Sequence, residues 1–209
     1  MGELLEKIKT KKAKIGIVGL GYVGLPLALE FVRSGYCVTG IDKNKERVES
    51  LKKGTSYVID VKSEDIAQFI EKGLFGVTDD TSVLSTLDAI SICVPTPLTK
   101  TKDPDMSYII NVGQEVKNHM HKDQLFILES TTYPGTTEEL VLPMLEEGGL
   151  RVGKDVFLAF SPERIDPGNT TCALETTPKV VSGIDEASLA RVKGFYDDIV
   201  VRTVPVRSP

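Results

Sequence analysis

Apolar residues in this chain gather in short unbroken runs, and between them lie longer stretches in which apolar positions recur every three or four residues. An unbroken run suits a strand buried on both faces, while the three-to-four spacing lays one stripe of a helix against it. The first runs are "KIGIVG" from Lys14 and "YCVTGID" from Tyr36. A helix is predicted between them from about Tyr22 to Ser34, stopped by Gly35. Helical spacing continues over Asn44 to Lys53 and Glu64 to Lys72, each closed by a glycine, Gly54 or Gly73. Further strands are predicted at Leu87 to Val94, Gln124 to Ser130 and Asp155 to Ser161. Helices are predicted from Asp105 or Ser107 to about Met120 and through "GTTEELVLPMLEEGG". A strand "KVVSG", a helix from Asp185 to about Asp198 and the run "IVVRTVPV" complete the pattern. Strands alternating with helices in this way predict the α/β class: a doubly wound parallel sheet of the Rossmann type.

Composition narrows the picture. The 209 residues are 41% hydrophobic, enough for one good core, so a single domain over residues 14–209 is expected behind a leader of residues 1–13. The lysines of "MGELLEKIKTKKAK" are expected to be solvated, and the stretch lacks the apolar segment of a secretory signal. A net charge of −5 argues against a nucleic-acid partner. No run approaches the roughly 18 apolar residues of a membrane helix, so a cytoplasmic protein is expected. Cys37 and Cys93 sit within apolar runs and are expected to behave as small core residues. The three cysteines, with Cys172, have no metal-type spacing, and His119 and His121 would diverge on a helix, so no metal site is expected.

Glycine changes the picture more. Gly19, Gly21 and Gly24 form G-x-G-x-x-G, between a predicted strand and a predicted helix. In that setting the first glycine permits a tight turn, the second lets backbone N–H groups meet a pyrophosphate, and the third lets helix and strand pack closely. The helix N-terminus adds a favourable dipole for the phosphates, and Pro26 in the first turn sacrifices no needed N–H. Gly19, Gly21, Tyr22, Val23 and Gly24 are therefore assigned to a dinucleotide. Asp42 ends the second strand, 18 residues after Gly24. A carboxylate there accepts the adenosine ribose hydroxyls and repels a 2′-phosphate, which selects NAD over NADP, although Lys43 weakens the exclusion.

Dinucleotides lie at the carboxyl ends of such strands, and three proline-stiffened loops fall there. They are "VPTP" (Val94 to Pro97), "ESTTYPGT" (Glu129 to Thr136) and "SPERIDPGN" (Ser161 to Asn169). Val94, Pro95, Thr96 and Thr131 are assigned to the cofactor. Glu163 is the candidate general base or water-positioning group; a structural ion pair with Arg164 is the alternative.

The segments "GLGYVGLP", "CVPTPL", "STTYPGTTEEL" and "SPERIDPGN", in that order, resemble the N-terminal half of the UDP-glucose/GDP-mannose dehydrogenase family. The resemblance implies oxidation of the C6 alcohol of a nucleotide sugar to a carboxylate with two NAD per turnover. It also implies that Thr96 lies near the cofactor, that Thr131 and Glu163 approach the reacting carbon, and that the parent enzyme is a homodimer. The UDP-glucose branch carries a second glutamate four residues after the first, where this chain has Pro167, with Asp166 one residue short. The loop is instead similar to that of the UDP-N-acetylhexosamine 6-dehydrogenases, which implies a UDP-N-acetylglucosamine-like UDP-sugar substrate ahead of UDP-glucose. The family's catalytic lysine, asparagine and cysteine have no counterpart here, and Cys172 lacks the cysteine's context. An inactive cofactor-domain fragment is expected. A non-catalytic NAD-sensing module remains the rival from another class, and the β-hydroxyacid dehydrogenases, which share the fingerprint but lack "SPER", are the rival enzymes.

Overall fold

The computed structural model describes residues 2–163 and 177–209. Its centre is β1 (Lys14–Val18), flanked by β2 (Cys37–Ile41) and β4 (Ala89–Ile92). Outside them lie β3 (Phe75–Thr78) on one side and β5 (Leu125–Leu128), β6 (Phe157–Phe160), β7 (Lys179–Gly183) and β8 (Thr203–Pro205) on the other. The sheet among the described residues thus runs β3-β2-β1-β4-β5-β6-β7-β8. Its first six strands are parallel; β7 runs antiparallel to β6, and β8 parallel to β7. Strand order reverses between β1 and β4, which opens a crevice at their carboxyl ends.

Alternate residues of each central strand point to opposite faces, and the two faces carry separate cores. Ile15, Ile17, Leu125 and Ile127 join one core with α1 (Glu3–Lys9), α2 (Gly24–Arg33), α4 (Ser63–Glu71) and α7 (Glu186–Tyr196). Val18, Ile90, Ile92, Phe126 and Leu128 join the other with α5 (Ser107–His119) and α6 (Leu142–Glu146). Every residue of β4 and of β5 is buried, as continuous apolar runs between two helical layers must be. The remaining helix, α3 (Lys45–Lys52), is capped by Asn44, whose side chain accepts from the N–H groups of Glu46 and Arg47.

The parallel α/β architecture is as expected, with several corrections. Residues 3–9, expected within a solvated leader, form α1, which buries Leu4 and Ile8 against α7. Lys7 of that helix pairs with Asp88 at 2.9 Å, and the Leu4 N–H donates to Asp123 at 2.8 Å. The apolar i, i+4 pair Leu4 and Ile8 outweighs the lysines, whose stems lie along the surface. Cys37 is exposed rather than in the core, standing at the very first residue of β2; Cys93 is buried. The helix predicted from Tyr22 begins at Gly24, since residues 21–23 form the turn itself. The helix after Gly135 opens with a π-helical turn, Thr137–Val141, before α6. Pro143 has no N–H to return to Glu139, so regular α geometry cannot close there. The edge strand β3 and the 3₁₀ turn Thr81–Thr86 carried too little apolar pattern to be foreseen.

Candidate functional site

The crevice holds a cavity of about 800 Å3 whose walls come from the ends of β1 and β2, the segments that follow β4, β5 and β6, the turn Thr81–Thr86, and α3 and α5. Its glycine turn is built as the spacing requires. Gly19 adopts φ +92°, and a Cβ there would lie 2.7 Å from the carbonyl oxygen of Cys93, so this residue must be glycine on two counts. A Cβ on Gly24 would collide with the carbonyl oxygen of Gly19, so the third glycine sets how closely α2 approaches β1. At Gly21, by contrast, a Cβ would meet nothing within 4 Å, and the residue lines the cavity. The space beside it, at the N-terminus of α2, fits a pyrophosphate. Tyr22 and Val23 line the same wall, whereas Gly24 stands behind it.

Several bonds hold the turn in place. The Gly19 N–H donates to the Ile41 carbonyl at 2.8 Å, and the Leu20 N–H to Asp42 Oδ2 at 2.9 Å. The Leu20 carbonyl accepts from the Tyr57 hydroxyl at 2.6 Å. Burial and the Asp42 charge push that phenol up to about 12, so it stays a donor. Asp42 Oδ1 accepts from the Asn44 N–H at 2.8 Å. The carboxylate therefore rests at the cavity edge, anchored at the end of β2. Arg47 of α3 reaches to 3.6 Å from Asp42 and stacks its guanidinium 5.4 Å from the Tyr57 ring centre. Lys43 also lines the cavity, its ammonium 3.9 Å from Glu115 on the opposite wall.

The far end is laced together by short bonds between loops. The Thr96 hydroxyl donates to the Thr131 carbonyl at 2.5 Å, and the Ser130 hydroxyl to the Val94 carbonyl at 2.6 Å. Val94, Pro95, Thr96, Thr131 and Glu163 all line the cavity, so residues from all three strand-end segments meet there. Arg164, Asp166, Pro167 and Cys172 lie outside the described residues. Behind that wall sits a cluster for which no motif prepared us. Glu129, fully buried, accepts from the Lys179 ammonium at 2.9 Å and from the Tyr196 hydroxyl. Burial pushes the Glu129 carboxyl above its usual range; Lys179 and Tyr196 pull it back, and Glu163 adds to the push. Burial and Glu129 likewise push up the Cys93 thiol, which is therefore an inert wall residue.

Sequence reasoning missed Arg47, Tyr57, Glu129 as an individual residue, Lys179 and Tyr196. Arg47 had one available signal, its place in the first turn of the helix that follows Asp42. The others had none, since a lysine opening an apolar run and a tyrosine closing a helix are commonplace.

Residues 13–200 match the model of the UDP-glucose/GDP-mannose dehydrogenase family, NAD binding domain. The chain is 36% identical over 191 residues to the UDP-N-acetyl-D-glucosamine 6-dehydrogenase of Pseudomonas aeruginosa, covering 91% of this chain and 44% of that protein. Among solved structures it resembles the UDP-D-ManNAc dehydrogenase of Pyrococcus horikoshii, with TM-score 0.88, 33% identity, and coverage of 93% of this chain and 47% of that one. The NDP-N-acetyl-D-galactosaminuronic acid dehydrogenase of Methanosarcina mazei gives TM-score 0.87 at 33% identity, over 100% of this chain and 47% of that one. The chain thus spans somewhat under half the length of the relatives it matches.

Proposed function

The chain belongs to the UDP-glucose/GDP-mannose dehydrogenase family as its NAD binding domain, and from that premise we propose that it is the cofactor half of a UDP-N-acetylhexosamine 6-dehydrogenase. The observation that carries this reading is the single cavity joining the glycine turn and Asp42 at one end to Thr131 and Glu163 at the other. The substrate is a UDP-sugar of the N-acetylglucosamine type, whose C6 alcohol is oxidised to the uronic acid. Bound NAD supplies a hydride acceptor. The residues of this chain bind, orient and handle protons. Backbone N–H groups of the turn and of the α2 N-terminus neutralise the pyrophosphate. Asp42 receives the adenosine ribose hydroxyls, and Arg47 flanks that end. Thr96 ties the Thr131 segment into place beside the reacting carbon. In the whole enzyme Glu163 takes a proton from, or orients, the water that adds to the acyl carbon C6, while the bond from C6 to the family's catalytic cysteine breaks and the thiol leaves.

The whole enzyme works as a homodimer in the cytoplasm, without nucleic-acid or membrane partners. No helix among the described residues is long and apolar enough to cross a membrane. The test is NADH release. The whole enzyme with NAD and UDP-N-acetylglucosamine should form two NADH per sugar consumed, and a clear preference for UDP-glucose would overturn the sugar assignment. The 209-residue chain should bind NAD yet form no NADH, because it carries no counterpart of the family's catalytic cysteine, lysine and asparagine. Steady NADH formation by it would refute the assignment as a cofactor half.

A further inference from the structure

With Asp42 at the adenosine ribose, the base carried by that ribose must settle close to the end of β2. Two spaces open there. One lies against α3 among Asn44, Glu46, Arg47, Ser50 and Tyr57. Its aromatic face is already taken, since the Arg47 guanidinium sits 5.4 Å from the Tyr57 ring centre. The other is the part of the main cavity between the end of β2 and α5, lined by Val18, Ile41, Leu84 and Val112. These four belong to one buried cluster, so the slot is apolar and the core fixes its walls. A flat aromatic base suits such a slot.

The rim of the slot differs from its floor. Lys43, just past β2, and Glu115, on α5, both line the cavity, with the ammonium 3.9 Å from Glu115 Oε1. That separation is too long for a hydrogen bond, so the contact consumes neither the accepting capacity of Oε1 nor a donor of the ammonium. Oε2 is held: the Thr81 hydroxyl donates to it at 2.8 Å and ties the carboxylate to the 3₁₀ turn. The two charged side chains are 62% and 33% exposed, and so open an ion pair contributes little to stability. At the edge of a slot it has a chemical meaning instead, because an acceptor and a donor stand side by side. Adenine presents the complement, an amino donor beside a ring-nitrogen acceptor.

We propose that Glu115, held by Thr81, reads the adenine of the dinucleotide: Oε1 accepts from the exocyclic amino group, and Lys43 donates to the neighbouring ring nitrogen. The site then selects adenine over hypoxanthine, which carries an oxygen in place of the amino group and would set it against Oε1. This rests on the NAD-binding reading above. One hydrogen bond to a charged acceptor at a partly solvated rim amounts to about a tenfold difference in affinity.

The experiment titrates NAD+ and nicotinamide hypoxanthine dinucleotide separately into the 209-residue chain by calorimetry. NAD+ should bind about tenfold more tightly; equal affinity, or a preference for the hypoxanthine form, overturns the inference. Glu115→Gln keeps an oxygen for the Thr81 hydroxyl and turns its amide N–H2 toward the slot. That group can donate to the hypoxanthine oxygen but not accept from adenine, so the affinity ratio should fall to one or below. A merely structural role would change both affinities alike, and an unchanged ratio in this variant refutes the proposal. Failure of the unmodified chain to bind either dinucleotide would instead refute the NAD-binding reading itself.

Discussion

The two ends of the cavity are made by different means. At the β2 end the working parts are backbone: a glycine turn, a helix N-terminus, and a carboxylate held by the N–H groups of Leu20 and Asn44. At the β5–β6 end they are side chains, held by a buried ion pair and by hydroxyls that stitch one loop to the next. Phosphates are multiply charged and strongly hydrated, and a fan of N–H groups beside solvent suits them. A reacting carbon requires charges placed individually, which water would screen unless they are buried. The first end tolerates exposure; the second depends on burial, and so on the whole fold.

Substitutions at the two ends should therefore fail differently. The largest effect is expected at Glu163: in the whole enzyme Glu163→Gln should slow turnover about 10²–10⁴-fold while changing NAD affinity far less. Steady-state rates and an NAD titration on the same preparation check this, and an unchanged rate would reduce Glu163 to a structural role. Next comes Lys179→Met, which strands the Glu129 carboxylate in the interior. Urea denaturation should register a loss of about 3–5 kcal/mol, much of it recovered when Glu129 is also made Gln. Were the single variant as stable as the parent, Glu129 would have to be tolerated there unpaired.

At the glycine turn the effects are smaller. Gly24→Ala should cost about 1–3 kcal/mol, because α2 must retreat from the Gly19 carbonyl, and NAD affinity should fall with it. Asp42→Ala should shrink the preference for NAD over NADP by roughly tenfold; equal affinity for both in the parent chain would remove Asp42 from its assigned role. Tyr57→Phe is the mildest, losing the bond to the Leu20 carbonyl for about 1 kcal/mol. It should also alter alkaline melting. The phenol, at about 12 in the folded chain against an ordinary 10, holds its proton longer folded than unfolded. Its contribution is complete below pH 10 and is lost as pH rises toward 12, so the variant should show a shallower decline in melting temperature across that window.

The fold was legible because its strands are buried on both faces. "LDAISICV" and "QLFILES" could satisfy such apolar runs only between two helical layers, and β4 and β5 lie there. The leader was misread for the converse reason. Leu4, Leu5 and Ile8 are few apolar residues among lysines and glutamates, and the partner that makes Leu4 and Ile8 core, α7, begins at Glu186.

The same division runs through the site. Gly19, Gly21, Gly24 and Asp42 could be placed together from spacing, since one strand–turn–helix–strand unit fixes their relative positions through local backbone geometry. The loops bearing Thr96, Thr131 and Glu163 could be placed at the strand ends, but their interlocking could not be read off. Thr96 bonds to a carbonyl 35 residues away, Lys179 reaches Glu129 across 50, and Tyr196 reaches it across 67. No local periodicity encodes such pairings. They exist because β4, β5, β6, β7 and α7 pack side by side, and because burial there leaves the Glu129 carboxylate no stable partner except a charge and a hydroxyl brought in by distant parts of the chain.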